Sequence, residues 1–119
     1  VCVNLGTNDV STQPYDTGLL EQGYRNFLKT LRGYYPKAKI VLLSGCMLKG
    51  KPLEDVQTAL NRVAREANDA GDSQVYRFDL TPADGSLGYG ASWHPSKAQQ
   101  YKGADELVPF LRSITGWEY

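Results

Sequence analysis

The one histidine of this 119-residue chain, His94, stands in the segment Ser92-Trp93-His94-Pro95-Ser96. An imidazole exchanges its proton near neutral pH, so a single one held in a fixed direction suits general-base work. Pro95 confines the backbone of His94 to extended conformations and helps to set that direction. A metal would need partner ligands, and two cysteines, Cys2 and Cys46, supply no His/Cys cluster. No metal and no organic cofactor is expected. The second group that could do chemistry is Gly6-Thr7-Asn8-Asp9, directly after a short apolar run. Its plain reading is a strand-ending turn in which Gly6 and Asn8 accept unusual backbone angles. Its chemical reading is that the Asn8 carboxamide donates a hydrogen bond to a developing oxyanion.

These segments need elements to position them. Residues 1–5 read as a strand. Leu20, Tyr24, Phe27 and Leu31 recur at spacings of four, three and four, which predicts a helix that buries this face and ends at Gly33 and Pro36. Ile40-Val41-Leu42-Leu43 is an unbroken apolar run, as in a strand covered on both faces. Leu53, Val56, Leu60, Val63 and Ala67 predict a second helix reaching Gly71, and residues 75–78 a third strand. Residues 79–95 read as a long loop. Ser96 and Gln99 form a capping box for a last helix, whose predicted inner face is Ala98, Tyr101, Ala104, Val108 and Leu111. Pro109 is predicted to kink that helix against the carbonyl of Asp105.

Strands alternating with helices predict an α/β fold with a parallel sheet. Working residues in such folds gather at the carboxyl ends of the strands, here residues 6–14, 44–51 and 79–95. Cys2 begins one strand and Cys46 lies past the end of the next. Several residues at about 3.3 Å each then separate them along the sheet, too far for a disulfide. Thirteen basic residues balance thirteen acidic ones, so the bulk charge that draws proteins to nucleic acid or anionic membranes is missing. No apolar run approaches the roughly 18 residues of a membrane span. Neither nucleic acid nor membrane is an expected partner. The chain opens inside an apolar run with no initiator Met and no signal peptide, and three strands leave an apolar edge. We therefore expect the amino-terminal strands of the domain to lie outside this chain.

Taken together, Asn4-Leu5-Gly6-Thr7-Asn8-Asp9 and Trp93-His94-Pro95-Ser96 resemble the SGNH (GDSL) hydrolase superfamily. With Tyr35-Pro36 and its following strand, they are most similar to carbohydrate esterase family 2, acetyl esterases that act on plant cell-wall polysaccharides. The resemblance covers the whole chain. It implies a three-layer, flavodoxin-like α/β/α fold with a parallel sheet, of which residues 1–119 form the carboxyl-terminal portion. It also implies that Gly6 shapes the oxyanion loop, Asn8 donates into it and His94 is the general base. An acetylated polysaccharide or oligosaccharide is the implied partner, with Trp93, Tyr89 and Asp9 as substrate-binding residues, and the implied location is extracellular.

Two departures qualify this resemblance. The superfamily carries an acid three residues before its histidine, where this chain has Ala91 in Gly90-Ala91-Ser92. A backbone carbonyl at Trp93 is expected to orient the ring instead, giving a Ser-His dyad of the kind family 2 members use. Asp79 and Asp84 are weaker substitutes. The nucleophile segment G-D-S-x, which in the superfamily lies before the first strand, is absent there, as is the oxyanion-hole glycine segment. Ser44 and Cys46 are poor replacements: a strand-terminal Ser usually serves the backbone, and nothing near Cys46 resembles a thiol-activating helix start. Other readings are a non-catalytic carbohydrate-binding module using the same cleft, or a lipase or thioesterase of the same superfamily. A phosphate-binding regulator lacks any Gly-rich phosphate loop. Among the remaining aromatics, Tyr24 and Phe27 are expected in the core, and Trp117 and Tyr119 against the sheet.

Overall fold

The computed structural model describes residues 1–118. Strands β1 (Cys2–Val3), β2 (Ile40–Ser44) and β3 (Val75–Asp79) form one sheet in that order, all parallel. Cys2 lies opposite Val41, and Ser44 opposite Asp79. Because each crossover is helical, the loops that follow the three strands all leave from one edge. Every residue of β2 is buried, as its unbroken apolar run requires. Cys2 and Cys46 are free thiols.

Helices α1 (Thr17–Tyr34) and α2 (Gly50–Asp69) cover one face of the sheet. Side chains alternate along a strand, so Ile40 and Leu42 join Val3, Val75, Leu20, Leu28, Val56, Leu60 and Val63 in this core. The first helix starts three residues earlier than its apolar spacing suggests. The Asp16 carboxylate caps it, accepting from the amides of Gly18 at 2.8 Å and Leu19 at 3.1 Å. It also runs past Gly33, since one glycine does not end a helix whose other residues pack. Phe27 departs from the expected buried face. It is 39% exposed, and Leu28 takes the inward place one position on.

Arg32 ties this layer together at the far end of the sheet. Its guanidinium donates to both carboxylate oxygens of Asp72, at 2.9 and 3.2 Å, and to the carbonyls of Tyr35 and Ala38 at 3.0 and 2.7 Å. The fork geometry of arginine lets one side chain fix the α1–β2 and α2–β3 connections at once.

Helix α3 (Lys97–Thr115) packs on the opposite face, which makes three layers. Phe110 stacks over Phe78 at 4.8 Å between ring centres and meets Tyr76 edge-on at 6.5 Å. The expected inner face is corrected here. Of the five residues expected there, Leu111 is half-buried but Ala98, Tyr101, Ala104 and Val108 are exposed, whereas Gln99 is buried and Gly103, Glu106, Phe110 and Ile114 are half-buried. The apolar spacing misled because the sheet-facing stripe includes Gln99, Gly103 and Glu106. The helix is continuous through Pro109. At its start the Ser96 hydroxyl accepts from the amide of Gln99 at 3.1 Å, so the cap forms as expected on the serine side.

Several carboxylates hold cationic or hydroxyl partners that keep them ionised. Lys51 and the Tyr15 hydroxyl lower the Asp55 pKa, Arg25 lowers that of Glu66, Ser86 that of Asp84 and Lys102 that of Glu106. Each binds its proton more weakly folded than unfolded. Their contribution is therefore present above the ordinary carboxylate range and lost as pH falls through the lowered values. We predict a urea midpoint that is flat from pH 7 to about pH 5 and declines below that. A midpoint that rises on acidification contradicts the assignment.

Candidate active site

The opening turn is built from its main chain outwards. Leu5 lies beyond the paired part of β1, and the Tyr24 hydroxyl donates to its carbonyl at 2.7 Å and accepts from its amide at 3.2 Å. Burial pushes the Tyr24 phenol above its ordinary pKa and keeps it neutral. Gly6 follows with φ of +115°, a region that L side chains avoid. The constraint is conformational, since a Cβ there would meet Val56 at an ordinary contact distance of 3.5 Å. Asn8 needs no unusual angle, contrary to expectation: Asn8–Val10 is a right-handed 3-10 turn. Val10 is 3% exposed and plugs the turn into the core, while the Ser11 hydroxyl donates to the Asn8 carbonyl at 3.0 Å. Asn8 and Asp9 remain exposed, and among the described residues the Asn8 carboxamide makes no hydrogen bond.

The closing loop is held with comparable care. Tyr89 bridges Pro95 in antiparallel fashion, the Gly90 amide donates to the His94 carbonyl at 2.8 Å, and the Ser96 hydroxyl donates to the Leu87 carbonyl at 2.7 Å. Within this frame Ala91–Trp93 form a tight turn in which Ser92 (φ +52°) and Trp93 (φ +63°) are both left-handed. Two such residues in succession cost energy and persist only where the surroundings impose them. Their effect is to turn the Ala91 carbonyl back onto His94, 2.9 Å from Nδ1. The orienting carbonyl is thus that of Ala91 and not that of Trp93. The left-handed pair reverses the chain between residues 91 and 94, which brings the more distant carbonyl to the ring.

The tautomer follows from this bond. A carbonyl oxygen only accepts, so Nδ1 carries a hydrogen, and in the neutral ring the lone pair is the one on Nε2. Among the described residues nothing hydrogen-bonds Nε2. Asp79 is occupied by the Ser44 hydroxyl at 2.7 Å and by Arg77, and Asp84 by the amide of Ser86 at 2.9 Å. Neither orients His94. Ser44 is 1% exposed and bound to Asp79, a structural role. Burial raises the Cys46 thiol above its ordinary pKa, which keeps it protonated and a weak nucleophile.

Trp93 is 77% exposed, and its ring meets Tyr89 edge-on with centres 5.3 Å apart. Lys49 from the second loop lies 6.0 Å over the Tyr89 ring, a residue that spacing in the sequence did not single out. With Met47, Ala83 and Pro95 these three line a pocket of about 240 Å³. It adjoins a groove of about 430 Å³ whose walls include Thr7 from the first loop, Cys46 and Met47 from the second, and Thr81 and Pro95 from the third. All three predicted loops therefore meet at one place. Main-chain bonds join the second of them to the third: the Leu80 amide donates to the Ser44 carbonyl at 3.0 Å and the Ala83 amide to the Cys46 carbonyl at 2.8 Å. Asp9 is set apart, since the pocket it lines runs along α1 with Leu5, Leu19 and Phe27.

An imidazole held at Nδ1 by a carbonyl and a turn bearing a carboxamide without a hydrogen bond thus leave the same edge of a parallel α/β sheet. Residues 1–107 match the family described as GDSL-like Lipase/Acylhydrolase, and the chain belongs to that family. It is similar to the protein named Cellulase/esterase CelE of Acetivibrio thermocellus, 37% identical over 98% of this chain. It is also similar to the Acetylxylan esterase / glucomannan deacetylase of Cellvibrio japonicus, 33% identical over 95% of this chain. Among solved structures, a family two carbohydrate esterase from Clostridium thermocellum in complex with cellohexaose shares 37% identity with a TM-score of 0.95. The match covers 98% of this chain and 36% of that one. The chain spans 14% and 30% of the two curated relatives' lengths.

Proposed function

We propose that this chain is the carboxyl-terminal portion of a carbohydrate O-acetyl esterase that hydrolyses acetyl esters of plant cell-wall polysaccharide through a Ser-His dyad. The observation that carries the reading is the His94 ring, with Nδ1 held by the Ala91 carbonyl and Nε2 unengaged at the edge where the Asn8 turn also emerges. In the mechanism, Nε2 takes the proton of a serine hydroxyl as that oxygen attacks the acetyl carbonyl. The charge that develops on the carbonyl oxygen is met by the Asn8 carboxamide, with Gly6 shaping its turn. Nε2 then returns the proton to the departing sugar alcohol, and a water repeats the sequence to release acetate. The Ala91 carbonyl keeps the tautomer through both halves, the task a carboxylate performs in a triad.

We place the nucleophile outside these residues. The one G-D-S of the chain, Gly71-Asp72-Ser73, lies between α2 and β3, at the far end of the sheet where Arg32 holds Asp72. Ser96 caps α3, Ser44 is buried on Asp79, Ser11 and Ser113 bond local carbonyls, and among the described residues no serine hydroxyl hydrogen-bonds Nε2. Support for where the remainder docks comes from the free edge of β1. On the α3 side it is flanked by a trough of about 380 Å³ lined by Val1, Cys2, Val41, Leu111, Ile114 and Trp117. On the α1 side Leu5, Leu19 and Phe27 are exposed. A further strand and helix covering both would bury this apolar surface. Tyr119 lies outside the described residues.

Tyr89 and Trp93 supply flat apolar rings on which sugar faces stack, beside Lys49. Asp9 contributes to substrate at most from the rim, given its separate pocket. A polymeric substrate places the enzyme outside the cell. The test is a burst assay with 4-nitrophenyl acetate. Residues 1–119 alone are expected to give no burst of acylated enzyme, and the polypeptide extended upstream to include a G-D-S segment is expected to give one. A robust burst from residues 1–119 overturns the placement of the nucleophile.

The exposed Tyr89–Trp93 pair favours one second reading, a domain that binds glucans without hydrolysing them. Calorimetric titration with soluble glucans, with Trp93→Ala as the comparison, separates the two when set beside the burst.

A further inference from the structure

We infer that Tyr24 is a positioning residue for the oxyanion turn, acting through the main chain of Leu5 on the carboxamide of Asn8. This rests on the role proposed for Asn8 above. The ring of Tyr24 is 5% exposed among Leu20, Leu28 and Val56, and a phenylalanine would fill that space as well. The hydroxyl is spent differently. It engages both main-chain groups of one residue, the carbonyl of Leu5 at 2.7 Å and its amide at 3.2 Å.

Leu5 is where the restraint is needed. The β1 ladder pairs only Cys2 and Val3, so no strand partner holds the Leu5 backbone. Its side chain is exposed, so packing does not fix it either. The next residue is Gly6, at a φ of +115° and without a side chain to limit its motion. Downstream the turn is secured by buried Val10 and by Ser11 on the Asn8 carbonyl. The Asn8 carboxamide has no hydrogen bond of its own among the described residues, so beyond its own two side-chain torsions only the backbone that carries it restrains where it stands. The Tyr24 hydroxyl is the upstream restraint on that backbone, and it transmits the rigidity of α1 to the donor. An oxyanion donor is effective only where it stands ready before charge develops, and misplacement by about 1 Å costs on the order of 100-fold.

A double-variant cycle on the upstream-extended polypeptide tests this, using Tyr24→Phe, Asn8→Ala and both together, with kcat and KM for 4-nitrophenyl acetate. Tyr24→Phe is expected to lower kcat by roughly 10- to 100-fold with KM within about twofold, and to add little once Asn8 is alanine. A role confined to packing or stability leaves kcat unchanged, or multiplies the Asn8→Ala loss by the same factor in both backgrounds. Either result overturns the inference. If Asn8→Ala alone leaves kcat intact, the oxyanion reading of Asn8 fails, and with it the inference. Amide exchange of the unaltered polypeptide gives a readout independent of the variants. The Leu5 amide is expected to be protected to the level of interior α1 amides, although it lies beyond the strand ladder. Exchange at the rate of an exposed loop amide contradicts the clamp.

Discussion

Alanine at His94, in the polypeptide extended to include its nucleophile, is expected to lower kcat by about four to six orders of magnitude. The size of the effect follows from the double use proposed for Nε2, to activate the serine and then to protonate the leaving alcohol. No described residue stands ready to replace it: Asp79 and Asp84 are engaged elsewhere, and the Ala91 carbonyl, which accepts the Nδ1 hydrogen bond, is too weak a base to take a proton from serine. Folding should survive, because His94 is exposed and its one side-chain bond is to the loop that carries it. Added imidazole should restore part of the rate by diffusing into the vacated space. Activity within tenfold of the parent would mean that another group is the base.

The second large effect is expected at Asn8. Asn8→Ala should lower kcat by about 100- to 1,000-fold, the range found when one oxyanion donor is removed. Asn8→Asp should be worse, since it replaces a donor by a negatively charged acceptor beside an oxygen that is itself becoming negative. Neither change should alter stability by more than about 0.5 kcal/mol, as the side chain is exposed. Kinetics with 4-nitrophenyl acetate and thermal unfolding of the same samples check both statements. A loss of rate that tracks a loss of folded protein would argue that the turn, and not the carboxamide, was damaged.

Much of this was legible in the residues because it rests on local rules. The alternation of apolar runs with helical spacing gives the strands, the helices and the shared edge from which the three loops leave. Gly6 was readable because a strand-ending turn needs its backbone freedom, and it indeed sits at φ +115°. The parts that were not legible depend on the main chain or on contacts between distant segments. The carbonyl that holds His94 belongs to Ala91, and only the left-handed Ser92 and Trp93 bring it to the ring. A backbone acceptor leaves no side-chain signature, although position 91 is the one where the superfamily places its acid. Tyr24 was readable as a core aromatic, but the use of its hydroxyl on Leu5 spans nineteen residues and appears in no spacing. Helix α3 misled because its inward stripe contains Gln99, Gly103 and Glu106, and the Glu106 carboxylate accepts from the Thr81 amide at 2.9 Å, tying the helix to the site loop. Apolar periodicity finds a face that packs against a core, and here a carboxylate on the inward side serves the loop instead.

The central claim is that the Asn8 carboxamide and the His94 imidazole serve one acetyl group. A crystal structure of the upstream-extended polypeptide, with its serine trapped as a methylphosphonate, tests it directly. The account predicts one phosphonate oxygen about 2.7–3.1 Å from the Asn8 amide nitrogen, with His94 Nε2 within hydrogen-bond reach of the serine oxygen. A trapped group touched by only one of the two, with the other side chain an acetyl's length or more beyond reach, would contradict it.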